Sequence, residues 1–163
     1  MPAATQSTEP CDQCRIPASD GESLVRALRL AGFQVPPPRE AVVRTVAAYE
    51  RPFTAGQLCD AVAARDPSVG RATVFRTLEL LEREGLVDRV HLVTGTDRYV
   101  RRDVPDEHSG ERHPRHYLVC SACEGISQVA DARIDATLAI AARQHAFRPE
   151  GNLVQIYGRC QEC

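Results

Sequence analysis

The sequence predicts an α+β protein in two parts: an N-terminal winged helix-turn-helix domain, then a small α/β domain with a four-cysteine site. Three observations carry this. Four short amphipathic segments are followed at once by two alternating stretches around Thr94-Gly95-Thr96. Residues 102–116 (RDVPDEHSGERHPRH) have the proline, glycine and charge of a linker. Two CxxC pairs, Cys120/Cys123 and Cys160/Cys163, each follow a strand-like stretch.

Residues 1–19 show no apolar period and read as a flexible leader. Asp20 offers a cap to a first helix carrying Leu24, Val25, Leu28 and Ala31 at helical spacing, with Gly32 ending it. Pro36-Pro37-Pro38 forces an extended break. A second helix runs from Arg39 to Tyr49, with Val42, Val43, Val46 and Ala47 inward. Thr54, with Gln57 three residues on, makes a capping box for a third helix, in which Leu58, Val62 and Ala63 pack.

The fourth helix, Arg71–Glu84, is the best defined. Gly70 precedes it and Gly85 stops it. Val74, Leu78 and Leu81 form one stripe, with Arg71, Thr73, Arg76, Thr77 and Arg83 largely off it. Leu86–His91 and Asp97–Arg101 then alternate as a hairpin. A helix placed second in such a motif enters the major groove of DNA. The winged domain spans 20–101 and the linker 102–116, leaving 117–163 as the second domain. There, Tyr117–Val119, Ile126–Ala130 and Asn152–Tyr157 read as strands. A helix from Ala132 to about His145, capped by Asp131, turns Ile134, Leu138 and Ala141 inward.

Composition narrows the function. The chain of 163 residues, 43% hydrophobic and 26% charged, is globular rather than disordered. No apolar run approaches the ~18 residues that a membrane helix needs, and the N-terminus lacks the apolar core of a secretory signal. A reducing cytoplasm is therefore expected, where seven cysteines point to metal or thiol chemistry. Net charge is −2, and residues 20–103 carry 13 arginines against 12 acids. That excludes a strong nonspecific nucleic-acid binder and leaves a specific one with a few positive charges on one face. All 20 basic residues are arginine, as GC-rich coding favours, and arginine reads phosphates and guanine edges well.

Two CxxC pairs supply four thiolates that can converge tetrahedrally on Zn²⁺. The 36 residues between them hold a strand, a helix and a strand, so the pairs can meet. A Cys₄ site has no open position, so its role is structural: it supplies folding free energy to a unit too small for a self-sufficient core. A redox dithiol is the competing reading. Cys11-Asp-Gln-Cys14 lies in the leader with no strand to frame it and reads as an unstructured dithiol, and Cys59 as a small buried hydrophobe. No nucleophile–base arrangement, glycine-rich phosphate loop or open metal triad is present, so catalysis is not expected.

The run Ser68-Val-Gly-Arg-Ala-Thr-Val-Phe-Arg-Thr-Leu-Glu-Leu-Leu-Glu-Arg-Glu-Gly-Leu-Val87 resembles the recognition-helix motif of the ferric uptake regulator family. Ala31-Gly-Phe33 with Pro38-Arg39, His116-Tyr-Leu-Val-Cys-Ser-Ala-Cys123 and Ile156-Tyr-Gly-Arg-Cys-Gln-Glu-Cys163 are similar to its other stretches, in order, from about Leu24 to Cys163. The resemblance implies a dimeric bacterial repressor on palindromic operator DNA, with a winged helix and a C-terminal dimerisation domain. Family members sense Fe²⁺, Zn²⁺, Mn²⁺, Ni²⁺, peroxide or haem. It gives Arg39, Arg71, Thr73, Phe75 and Arg76 as DNA contacts. Phe75 stands where the family has Tyr; its ring either meets a thymine methyl or packs in the core.

Sensing is where the likeness thins. The family's His-x-His before its first CxxC is replaced by Arg115 and Tyr117, while His116 falls between them. Asp88 matches an interdomain ligand, Asp135 a Glu ligand of a second site, and Asn152 stands where that site has His. A longer loop adds His108 and His113. A regulatory Zn²⁺, Fe²⁺, Mn²⁺ or Ni²⁺ site from Asp88, His108, His113, His116 and Asp135 is one reading. The others are a thiol-responsive regulator and a family member that has lost metal sensing.

Overall fold

The computed structural model describes residues 21–102, 116–149 and 153–163; the first of these segments forms one compact unit and the other two form a second.

In the first unit, α1 (Gly21–Leu30), α2 (Pro37–Ala47), α3 (Ala55–Arg65) and α4 (Arg71–Arg83) precede β1 (Val87–His91) and β2 (Asp97–Arg101). Each helix boundary has a local cause. Pro37 opens α2, where a missing N–H costs nothing. Thr54 and Gln57 form the full capping box of α3, with Gln57 N–H donating to Thr54 Oγ1 at 3.1 Å and Thr54 N–H to Gln57 Oε1 at 2.8 Å. Gly85, at φ +67°, turns the chain out of α4, and Leu86 N–H reaches back to the Leu81 carbonyl at 2.8 Å.

The four helices bury one apolar cluster that includes Leu24, Val43, Leu58, Val74, Leu78 and Leu81. β1 and β2 pair antiparallel with Val87 opposite Arg101 and His91 opposite Asp97. Phe53 joins them by exchanging backbone hydrogen bonds with Tyr99, at 3.0 and 2.7 Å. Its ring stacks between Tyr49 and Tyr99. This ties the hairpin to the segment before α3, so the wing is anchored to the helices.

Four expectations are corrected here. Of the extended break expected over Pro36-Pro37-Pro38 only Pro36 is extended, at ψ 161°, and Pro37 and Pro38 form the first turn of α2, two residues before the expected start at Arg39, because that turn needs no N–H from them. Thr77 lies inside rather than off the apolar stripe of α4 and is fully buried, because its hydroxyl is satisfied by the Thr73 carbonyl at 2.7 Å. Ala63 is exposed on α3. Ala31 is exposed beyond the end of α1, in the turn that closes it.

In the second unit β3 (His116–Cys120) is central, antiparallel to β4 (Ile126–Val129) and parallel to β5 (Val154–Gly158), with α5 (Ala132–Gln144) between β4 and β5. Asp131 caps α5 by accepting from Arg133 N–H at 2.9 Å. Among the described residues its interior is slight, with Tyr117, Val119, Cys120 and Ile126 as the buried apolar side chains. No residue of α5 is buried; Ile134 and Leu138 are half-covered, and Ala141, expected inward, is exposed. A helix whose apolar residues find too little cover in their own unit explains that departure.

Candidate nucleic-acid interface and metal centre

The outer face of α4 is built by the packing of its inner face. With Val74, Thr77, Leu78 and Leu81 turned into the core, helical spacing leaves Arg71, Phe75, Arg76, Glu79 and Arg83 outside. Phe75 is 41% exposed, so the core-packing alternative is removed. Thr73 is half-buried on the first turn. Arg39, in the first turn of α2, shares with Arg76 a groove of about 370 Å³ that Phe33, Glu79, Leu80 and Arg83 also line. The guanidinium of Arg39 donates to the Gln34 carbonyl, which fixes it at the groove's rim. The sequence reading singled out neither Phe33 nor Arg83 as a contact, although Arg83, seven residues after Arg76, shares its face by simple periodicity.

The N-terminus of α4 has no side-chain cap. Thr73 and Val74 N–H bond to the Gly70 carbonyl, at 2.9 and 3.3 Å, so the N–H groups of Arg71 and Ala72 before them have no partner within the helix. With the side chains of this face they offer an apolar ring, guanidinium forks and a helix N-terminus on one surface, a chemistry suited to a polyanion with readable base edges.

In the second unit, Cys120 and Cys123 follow β3, and Cys160 and Cys163 follow β5. The parallel β3–β5 pairing sets the two turns side by side. All four sulfurs lie within 4.8 Å of one another, with Cys120–Cys163 and Cys123–Cys160 at 3.9 Å and Cys160–Cys163 at 3.3 Å. Sulfurs bound tetrahedrally to zinc at ~2.3 Å stand about 3.8 Å apart, so the set fits the ion. The surroundings prepare a thiolate. Burial pushes the Cys120 thiol up, but backbone hydrogen bonds from Cys123, Cys160 and Ala122 outweigh it and bring it down to about 6. Burial raises Cys123, and hydrogen bonds with the Cys160 and Cys123 thiols raise Cys163, as expected when four thiols share a space made for thiolates on a cation.

The remaining candidate ligands are dispersed. Asp88, on β1, is fully buried, and Arg102 Nε lies 3.6 Å from its Oδ2. Its charge is therefore answered by a guanidinium of the same unit. His116, at the start of β3 and 1% exposed, places Nε2 3.1 Å from Asp135 Oδ1 on α5. Its Nδ1 is buried and makes no hydrogen bond among the described residues. His116 and Asp135 are thus brought together, whereas His108 and His113, like Cys11 and Cys14, lie outside the described residues. Among the described residues, the four cysteines are the one group of three or more metal-ligating side chains.

The ferric uptake regulator family model matches residues 30–157 of this chain. The ferric uptake regulation protein of Bacillus subtilis is 28% identical over 143 residues, covering 87% of this chain and 93% of that one. The zinc uptake regulation protein of Mycobacterium tuberculosis is 30% identical over 133 residues, covering 82% and 96%. The fold matches that of a zinc uptake regulator solved in complex with zinc and DNA, at a TM-score of 0.65 and 22% identity over 87% of this chain and 93% of that one.

Proposed function

The chain belongs to the ferric uptake regulator family, and we propose that it is a sequence-specific, metal-responsive transcriptional repressor rather than an enzyme. It works as a homodimer on palindromic operator DNA in the bacterial cytoplasm. The observation that carries this reading is the outer face of α4, where an unburied Phe75 stands beside Arg71 and Arg76 over a fully packed interior. Phe75 meets a thymine methyl, Arg76 reads a base edge or phosphate, and Arg39 and Arg71 position the helix on the backbone. The hinge read from the sequence as 102–116 is shortened at both ends, because Arg102 is bonded to Gly85 and Leu86 and His116 begins β3; a leader, 1–19, and this shorter hinge flank the DNA-reading domain, and the domain from β3 onward joins the protomers. Exposed apolar side chains of the second unit, Leu118, Ile140, Phe147, Ile156 and Tyr157, supply that contact.

Cys120, Cys123, Cys160 and Cys163 hold a structural Zn²⁺, which fixes the two turns after β3 and β5. The regulatory divalent ion, Zn²⁺, Fe²⁺, Mn²⁺ or Ni²⁺, would be held by a nitrogen of His116 and a carboxylate oxygen of Asp135, a donor set that suits borderline metals, and His108 and His113, outside the described residues, are the further ligands of this proposal. Asp88, already neutralised by Arg102, is left out of this set. Metal need only favour the domain arrangement in which two winged domains match half-sites about 34–36 Å apart, or a multiple of that.

The test is metal content per protomer, before and after mild chelation, measured beside binding to operator fragments selected from a random pool. One retained zinc and one exchangeable metal that switches affinity are expected. One zinc with DNA binding indifferent to added metal overturns metal sensing. Unchanged affinity in Arg76→Ala removes α4 from the interface.

A further inference from the structure

We propose that Arg83 is a further phosphate-contacting residue of the DNA interface, held in place by the ring of Phe33; the proposal rests on the DNA-binding reading of α4. Phe33 owes its position to the end of α1. Gly32 adopts φ +86°, and Phe33 N–H returns to the Leu28 carbonyl at 3.0 Å. The ring is thereby packed against the core rather than left on a mobile turn. The Arg83 guanidinium carbon sits 5.3 Å from the ring centroid, a cation–aromatic contact.

That contact closes one side of the groove that Arg39 and Arg76 line. Three guanidinium groups face one carboxylate there, Glu79. Glu84 engages only Nε of Arg83, at 3.2 Å, so the two Nη nitrogens have no hydrogen-bond partner among the described residues. Two-thirds of the Arg83 side chain is exposed, so this order serves no buried packing. A guanidinium already stacked on a ring loses less freedom on docking, and its planar fork matches a phosphate's oxygens. Arg76 and Arg83 lie two helical turns apart on one face, and Arg39 flanks them from α2. The three arginines thus offer a backbone clamp beside the base-reading turn of Arg71 to Phe75. A clamp on phosphates adds affinity for any sequence and sets register, without choosing bases.

The experiment measures affinity against salt for the zinc-loaded full-length protein on a duplex selected from a random pool. Arg83→Ala, Arg76→Ala and, as a remote charge control, Arg143→Ala on α5 are compared with the parent. Each lost phosphate contact lowers the slope of log affinity against log salt by about 0.9, so Arg83→Ala in a dimer is expected to flatten it by about two and to weaken binding at least tenfold at 0.1 M salt. The loss should be equal on operator and on mismatched duplexes, and Arg83→Lys should recover part of it. An unchanged slope overturns the proposal, whether affinity holds or falls, because a structural role for Arg83 would not alter ion release. An equal effect from Arg143→Ala overturns it as a general charge effect. If Arg76→Ala also leaves binding untouched, the DNA reading of α4 fails with it.

Discussion

Arg102 Nε lies 3.6 Å from Asp88 Oδ2, and the two side chains are 12% and 0% exposed. The same guanidinium donates through Nη1 to the Gly85 carbonyl at 3.1 Å, and the Arg102 backbone N–H bonds to Leu86 at 2.9 Å. One arginine therefore links the end of α4, the start of β1 and the residue after β2. Arg102→Ala removes one cation from beside a buried carboxylate and is expected to lower the stability of the winged unit by up to roughly 3 kcal/mol, the scale for breaking a buried pair from one side. Adding Asp88→Asn should restore part of it. Equilibrium denaturation of the two variants measures both; a double variant as unstable as the single one would break the argument.

Cys120→Ser is expected to lose zinc and unfold the second unit. Structural zinc contributes about 10 kcal/mol or more to such a unit, far beyond what its few buried apolar side chains supply. Elemental analysis and sedimentation check it: zinc should fall below one per protomer and the dimer should be lost. Cys59→Ser, altering a buried thiol on α3, should keep both. A stable, zinc-free Cys120→Ser dimer would sink the staple.

Phe75 offers an apolar ring and no hydroxyl, so thymine recognition should depend on the C5 methyl. Replacing the contacted thymine by uracil removes one methyl, worth roughly 0.8 kcal/mol or about fourfold in affinity. Phe75→Ala should bind weakly and no longer distinguish the two bases. Titration of paired thymine and uracil duplexes reads this directly, and a parent protein that binds both equally refutes the contact.

Hydrogen bonds from the Arg133 side chain and then its backbone N–H hold the Asp131 carboxyl well below the usual range, at about 2. A depressed folded-state value means the stabilisation is present above the unfolded value near 3.8 and is lost as pH falls towards 2. Asp131→Ala should therefore lower the thermal midpoint of the zinc-loaded protein at pH 7. A cap that works through its carboxylate also predicts that Asp131→Asn, which keeps an acceptor, loses less than alanine.

The winged unit was legible because its helices obey a single period and carry their own boundary signals: the Thr54–Gln57 box that starts α3 and the Gly85 that stops α4 each appear where the pattern places them. Thr77 was misplaced because hydropathy counts its hydroxyl as polar, whereas the Thr73 carbonyl satisfies it inside. The cysteine cluster was legible because thiol spacing survives without knowledge of the fold. The Asp88–Arg102 pair was not: it depends on strand register, in which Asp88 faces Val100 and so lies diagonal to Arg102 on one face. In α5 the pattern named Ile134, Leu138 and Ala141 as apolar but could not tell whether their own unit would cover them.

The two units complete at different points of synthesis. The core cluster that α4 joins has been made in full once Arg102 is added, whereas the zinc site needs Cys163. At ~5–20 residues per second, a ribosome takes several seconds to cross that interval. The face proposed to read DNA can therefore form on the nascent chain before the cysteine site that holds the second unit together. Until then it can engage only one half-site, so the growing chain is a weak competitor for operators already occupied by finished dimers.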